Sequence, residues 1–351
     1  MKPIVIDGRQ LTGQIGGVQR YIREILRELD KIASPGEFEV LVPKDAKELP
    51  TYQNLKIIPY GFLSGLLWEQ ICLPYYLLTQ KKYGVFPATV VPLLYPKGLA
   101  VVHDVMIAKL PELRDSIANP VALHLLLLNY RIAAKHTTCL VTDSQVSKND
   151  IVELYGTDPS HIRLVGAGWQ HVNEIEEDLQ WEQKYPALKR GEFYFALSAN
   201  RKQKNFKWIC EVAKRTPDRI FAIAGCQEEW QKNEEWSAPN LIHLGYISDG
   251  EIKSLMKHCK AFLFPSTYEG FGIPPMEALS VGAKVIVARA SCLPEIYRDS
   301  VHYIDPYDYT VDLEALLSQQ VAPAEDVLNR YGWDISAKKL YAICKEMQNK
   351  K

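Results

Sequence analysis

Apolar runs of three to six residues recur along this chain. They fall at 4–6, 38–42, 55–58, 84–87, 99–102, 139–142 and 162–165, and again at 193–197, 219–224, 241–245, 261–264, 284–288 and 302–304. Those at 38–42 and 55–58 alternate, and short unbroken runs such as 4–6 and 139–142 read as buried strands. Between them lie stretches with helical spacing. Tyr21, Ile25, Leu26 and Leu29 predict a helix over 18–29, and further helices are expected at 120–135, from Ser147 onward, at 250–258 and at 327–347. Ser147 with Asp150 resembles a capping box with Asp in place of Glu or Gln, and Leu125 to Leu128 are too uniformly apolar for a surface. Connections of loop or helix length between short strands predict right-handed β-α-β units, hence an α/β chain.

The 351 residues exceed one ordinary domain and suit two of similar size. The pattern breaks between Val172 and about Lys189, where the chain turns acidic and polar without a strand. Three parts are expected: 1–170 and 171–326 as two doubly wound domains, and 327–351 as a helix returning to the first. Apolar residues at 47% and charged residues at 24% leave ample core material. A net charge of -1 provides no global attraction to nucleic acid or anionic lipid. Seven scattered cysteines without a C-x-x-C pair argue for reduced thiols and against a zinc site. The start, MKPIVIDGRQ, turns polar too soon for a signal peptide, and no run approaches the roughly 18 apolar residues of a spanning helix. A cytoplasmic location is expected. Tyr75 to Leu78 followed by Lys81 and Lys82 fit a surface that touches a membrane, although packing in a domain core explains the same residues more simply.

The stretch from Phe262 to Glu277, FLFPSTYEGFGIPPME, concentrates the chemistry. A buried strand leads through a polar turn to Gly270-Phe271-Gly272, and Pro274-Pro275 then open a helix carrying Glu277. Glycines let backbone approach a ligand closely, proline in the first helical turn costs no hydrogen bond, and the helix start offers free N–H groups to an anion. Glu269 and Glu277 flank that place, and carboxylates accept hydrogen bonds from sugar hydroxyls. A ligand with both phosphate and sugar parts is implied, although glycine loops and first-turn glutamates also arise for purely structural reasons.

Other strand ends add candidates. Strand 4–6 leads into a loop with Gly16 and Gly17 before a helix, a unit of phosphate-binding shape. Strand 99–102 delivers His103-Asp104 at the edge where open α/β sheets bind ligands. After strand 193–197 come Arg201, Lys202 and Lys204, three cations in four residues just before a helix, suited to a pyrophosphate. Gly225 and Gly245, at two further strand ends, fit a base and ribose pocket. His161, His171, His243, His258 and His302 stand isolated in sequence and read as ordinary surface or core residues.

Glu269 and Glu277, seven residues apart and enclosing Gly-Phe-Gly, resemble the E-x7-E motif of retaining GT-B glycosyltransferases, in particular the GT4-type family (glycosyl transferases group 1) that builds bacterial polysaccharides and O-antigens. Trp68-Glu69-Gln70, His103-Asp104 and the basic pair before Asn205 extend the resemblance along the chain, while Ser198-Ala199 stand where many relatives carry glycine. The resemblance implies a GT-B fold, two Rossmann-like doubly wound domains facing across a cleft. It further implies transfer of a hexose-type sugar from a UDP-, GDP- or dTDP-sugar to a hydroxyl of a glycan, with a lipid-linked polysaccharide or O-antigen intermediate as acceptor. On this basis Arg201 and Lys204 hold the diphosphate, with Lys202 beside them. Gly16, Gly17, Gly270, Phe271 and Gly272 line the donor, Glu277 holds the ribose, and Glu269 and His103 face the sugar. No D-x-D is present, the nearest being Asp305-Pro306-Tyr307-Asp308, so neither a metal nor another cofactor is expected. A sugar phosphorylase, a nucleotide-sugar epimerase and a non-catalytic partner subunit remain as alternatives. A nicotinamide-linked oxidoreductase would want G-x-G-x-x-G, which is missing.

Overall fold

The computed structural model describes residues 2–13, 16–197, 201–225 and 236–349. The chain divides into two compact units, one formed by residues 1–168 with 333–351, the other by residues 169–332.

The first unit is built on seven strands: β1 (Ile4–Asp7), β2 (Phe38–Pro43), β3 (Lys56–Tyr60), β4 (Gly84–Phe86), β5 (Gly98–Val101), β6 (Cys139–Thr142) and β7 (Ile162–Leu164). Their order is β3-β2-β1-β4-β5-β6-β7, and every pairing is parallel. The chain runs outward from β1 to β3, returns, and runs outward the other way from β4. The sheet therefore reverses between β1 and β4, and at such a point the loops leaving two neighbouring strands part and open a crevice. The five inner strands are buried along their whole length, as the continuous apolar runs require, whereas edge strand β3 carries exposed Lys56 and Pro59.

The second unit has six parallel strands: β8 (Phe193–Leu197), β9 (Ile220–Ala224), β10 (Leu241–Gly245), β11 (Ala261–Phe264), β12 (Val285–Ala288) and β13 (His302–Ile304). The order β10-β9-β8-β11-β12-β13 reverses between β8 and β11. Trp208, fully buried, anchors the helix Phe206–Arg215 by donating its indole N–H to the Asp308 carbonyl at 2.8 Å.

Several local expectations need correction. The helix expected from Ser147 spans Gln145–Tyr155. Its cap is Ser144, in an extended conformation, whose hydroxyl accepts the Ser147 N–H at 3.2 Å, and Asp150 lies within the helix. Leu125 to Leu128, in the helix Pro120–His136, are half-buried, because that helix meets the core through Asn129, Tyr130, Ala133 and Ala134. The tail is two helices. Glu325–Leu328 belongs to the second unit, and Trp333–Asn349 returns to the first, where Trp333 lies edge-on to Tyr21 with ring centroids 5.8 Å apart. The run 61–83 is also divided, into Gly65–Leu67, a π-turn at Trp68–Cys72 and the helix Leu73–Gln80. Pro74 has no N–H to give the preceding turn, which accounts for the widened hydrogen bonding there. Leu77 from this run is buried, but Tyr75 and Leu78 are exposed, so core packing explains only part of the pattern.

The centre of the second sheet sets its stability. Leu263, in β11, is 1% exposed. Leu263→Ala is expected to destabilise the protein by about 2–5 kcal/mol, as truncation of a packed core leucine does, and to lower the midpoint of urea unfolding.

Candidate functional site

The loops leaving β8 and β11 sit side by side because the two strands are parallel neighbours. After β8 and the exposed Arg201, a turn at Lys202–Lys204 leads to Asn205, whose φ of +52° redirects the chain into the helix Phe206–Arg215. The Gln203 carbonyl accepts the Thr267 N–H at 2.8 Å and the Ser266 hydroxyl at 3.0 Å. Asn205 donates through Nδ2 to the carbonyls of Pro265 (3.2 Å) and Pro306 (2.9 Å). The two loops are thus laced together before any ligand arrives.

Glu269 lies at the centre of this lacing. One oxygen of its carboxylate accepts from Lys204 Nζ at 2.8 Å and lies 2.5 Å from the Ser266 hydroxyl oxygen, whose single hydrogen it shares with the Gln203 carbonyl. Its backbone is held by Ser291, whose Oγ donates to the Glu269 carbonyl at 2.8 Å. Lys204 Nζ also stands 4.8 Å from the centre of the Phe264 ring, a cation over an aromatic face. The charge is therefore fixed from three sides. Arg201 and Lys202 lie exposed beside it.

Gly272 caps the helix Ile273–Ser280 with φ +82°, and a Cβ there would come within 2.9 Å of Leu293 Cδ2, so both conformation and space demand glycine. The Tyr297 hydroxyl donates to the Gly272 carbonyl. Phe271 is buried with its ring edge-on to Tyr331 at 5.1 Å, so this residue's side chain serves the core and leaves its backbone to the loop. Glu277, on the helix, accepts at Oε1 from His171 Nε2 at 2.8 Å. His171 is 3% exposed. This corrects its reading as an isolated, ordinary histidine: the fold pairs it with one of the two motif carboxylates, across 106 positions of sequence that no spacing rule connects. Gly225 and Gly245 end adjacent strands, and the Gly225 N–H donates to the Gly245 carbonyl at 2.8 Å. Residues 198–200, including Ser198-Ala199, lie outside the described residues.

Gly16, Gly17 and His103 belong to the first unit. Gly16 precedes and Gly17 begins the helix Gly17–Ile32. Neither takes a positive φ, and among the described residues a Cβ on Gly17 would meet nothing within 4 Å and one on Gly16 would meet only the Gln19 side chain. Packing does not require glycine at either place, which leaves an exposed backbone surface open to a ligand. Tyr21, one turn into that helix, lies edge-on to His103 with ring centroids 4.6 Å apart. His103 Nδ1 is 2.7 Å from Asp143 Oδ2 and Nε2 is 3.2 Å from the Pro87 carbonyl.

A second buried cluster escaped the sequence reading. Asp7, at the end of β1, and Glu69, in the π-turn, are both buried, with Arg9 Nε 2.6 Å from Glu69 Oε1. Burial, and then the Asp7 charge, raise the Glu69 carboxyl, and burial raises Asp7 as well. Asp7 at a strand end was the one available signal. Glu69 reaches it only through the fold.

Residues 178–322 match the family described as glycosyl transferases group 1. The chain is 27% identical over 183 residues to O-antigen chain mannosyltransferase B of Escherichia coli, covering 48% of each. It is 25% identical over 249 residues to O-antigen chain mannosyltransferase RfbU of Salmonella typhimurium, covering 69% of this chain and 65% of that one. The match thus spans about half the first relative's length and just under two thirds of the second's. Among solved structures, Anabaena HepE in complex with UDP and glucose superposes with a TM-score of 0.71 at 14% identity, covering 99% of this chain and 100% of that one, which shows a shared fold.

Gly272→Ala tests the turn. Forcing an alanine to a positive φ and against Leu293 is expected to cost about 1–3 kcal/mol, measured as a lowered melting temperature. A variant as stable as the parent would show that the turn tolerates a side chain.

Proposed function

We propose that this chain, a GT-B protein of the glycosyl transferases group 1 family through its domain at residues 178–322, is a retaining hexosyltransferase that uses a nucleoside-diphosphate sugar. The observation that carries this reading is the Lys204–Glu269 pair at the β8/β11 reversal, beside the Gly270–Gly272 turn and Glu277. Cations, a bare backbone turn at a helix start and two carboxylates suit a diphosphate joined to a ribose and a hexose.

Each group has a role in that reading. Arg201 and Lys204, with the backbone N–H groups of Phe271 and Gly272, take up the charge that builds on the departing diphosphate, without a divalent cation. Gly16 and Gly17, at an exposed helix start of the first unit, offer bare backbone to a ligand. Glu277 accepts from the ribose hydroxyls, and His171 fixes the carboxylate's orientation. Glu269 supports the positively charged sugar centre, and His103 is the first unit's own candidate for contact with substrate. The acceptor hydroxyl attacks from the face the diphosphate leaves: the bond from C1 to the phosphate oxygen breaks, the bond from C1 to the acceptor oxygen forms, and the acceptor's proton passes to the departing phosphate oxygen. The relatives named as O-antigen mannosyltransferases and the neighbour solved with UDP and glucose support a hexose donor and a glycan acceptor.

A lipid-linked acceptor at the inner face of the membrane suits the first unit. Phe62, Ile71 and Tyr75, with Lys44, line a groove of about 580 Å³, and Leu66, Leu67 and Leu78 nearby in sequence are also exposed. Among the described residues no helix is long and apolar enough to cross a membrane.

Thermal denaturation with a panel of nucleoside diphosphates and sugar nucleotides, with and without EDTA, tests the donor site. One nucleotide should raise the melting temperature by mass action, with the shift kept in EDTA and reduced in Glu277→Ala. Glu269→Gln should retain the shift and lose about 10²-fold or more in transfer rate, the size of effect typical of a lost transition-state contact. No shift with any nucleotide, or a shift with NAD alone, would overturn the reading.

A further inference from the structure

His103 is held more tightly than a histidine that simply lines a pocket. Asp143, just past the end of β6, lies 2.7 Å from its Nδ1, and the Pro87 carbonyl lies 3.2 Å from its Nε2. A carboxylate and a backbone carbonyl can only accept, so both ring nitrogens must donate, and only the imidazolium carries two N–H groups. Asp143 Oδ1 is buried without a hydrogen-bond partner among the described residues, so its other oxygen, on His103, is the one that carries its pairing. The backbone is pinned as well, because the His103 carbonyl accepts from the Ser147 hydroxyl at 3.1 Å.

Among the described residues the titratable groups facing the ring are few. They are Asp143 beyond β6, Asp104 next in the chain, and Tyr21 on the helix Gly17–Ile32. Burial alone disfavours the cation and is the largest single influence. Asp143, by charge and hydrogen bond, then the charge of Asp104 and the Pro87 carbonyl together outweigh it, and His103 is raised above 6.5. Tyr21 contributes no charge: its hydroxyl is buried without a partner among the described residues, and burial together with Asp143 keeps it a neutral phenol. Its ring presents an edge to the imidazole, with an interplanar angle of 76°.

We propose that Asp143 is a positioning residue that locks His103 as an imidazolium with both N–H groups committed, so that His103 acts in the transfer as a fixed positive charge and not as a base. The proposal rests on the transferase reading for the reaction, but the lock itself does not. Its chemical consequence concerns the proton of the acceptor hydroxyl. An imidazolium has no lone pair to receive it, so His103 is not the group that takes that proton. His103 is then needed in its protonated form throughout turnover.

The sign of the pH dependence follows. A group that must be protonated loses activity as pH rises through its pKa, whereas a base gains activity over the same range. Two measurements on the full chain test this. The first is an NMR titration of the histidine ring resonances, with His103→Gln supplying the assignment. The second is the pH profile of transfer in the wild type and in Asp143→Asn, with Asp143→Glu as the conservative variant. His103 should titrate above 6.5 in the wild type. In Asp143→Asn its titration and the alkaline limb of kcat should both move to lower pH, by about 1–3 units, the shift an adjacent opposite charge produces. KM for the donor should change far less than kcat, and Asp143→Glu should restore most of the limb. A rate that rises as His103 loses its proton would overturn the proposal. So would an alkaline limb that stays in place while the NMR titration moves, since a merely structural Asp143 would behave in that way. If Asp143→Asn does not fold, wild-type titration at or below 6.5 still refutes the lock. If no donor is bound or transferred, the transferase reading fails, and the NMR titration judges the lock separately.

Discussion

Parallel pairing places the carboxyl ends of β8 and β11 next to each other, and the reversal of strand order there sends their loops apart. That constraint organises the second unit. The backbone groups freed at the crevice would be exposed or unsatisfied, and Gln203, Asn205, Ser266 and Thr267 satisfy them by bonding across it. Lys204 and Glu269 then meet at 2.8 Å as part of the same lacing. The side-chain surfaces of this pair are only 20% and 15% exposed, so the two charges need each other while no ligand is present.

Both units use the same device at different strengths. In the second, motif carboxylates are steered by partners from distant segments, Glu269 by Lys204 and Ser266, Glu277 by His171. In the first, the strand ends carry His103 against Asp143 and Asp7 against Glu69. Each is a charged or proton-sharing pair removed from water, costly to form and strongly destabilised if one member is lost. Their common effect is to hold polar side chains in one orientation.

Glycine illustrates how differently the same residue type is used. Gly272 is required by the fold itself, through a positive φ and a neighbour that leaves no room. Gly16 and Gly17 are not, since neither backbone angle nor packing demands them. Residues that the fold does not need but that sit at an exposed helix start are better accounted for by what approaches from outside.

Strand positions were legible from the sequence because a parallel sheet buries both faces of its inner strands, and burial on both faces writes an unbroken apolar run. The chemistry of the 262–277 stretch was legible for a related reason: strand, turn, glycines, prolines and carboxylate all lie within one local segment, where chain order and spatial order coincide. Helix ends were read less well. Ser144 and Ser147 are equally good caps by composition, and only the extended backbone at Ser144 decides between them. The pairings Lys204–Glu269, His171–Glu277, His103–Asp143 and Asp7–Glu69 join segments separated by tens of residues or more. Nothing in local spacing encodes them. They exist because two sheets bring their strand ends to common edges, and burial there leaves each polar group able to be satisfied only by the neighbour the topology supplies.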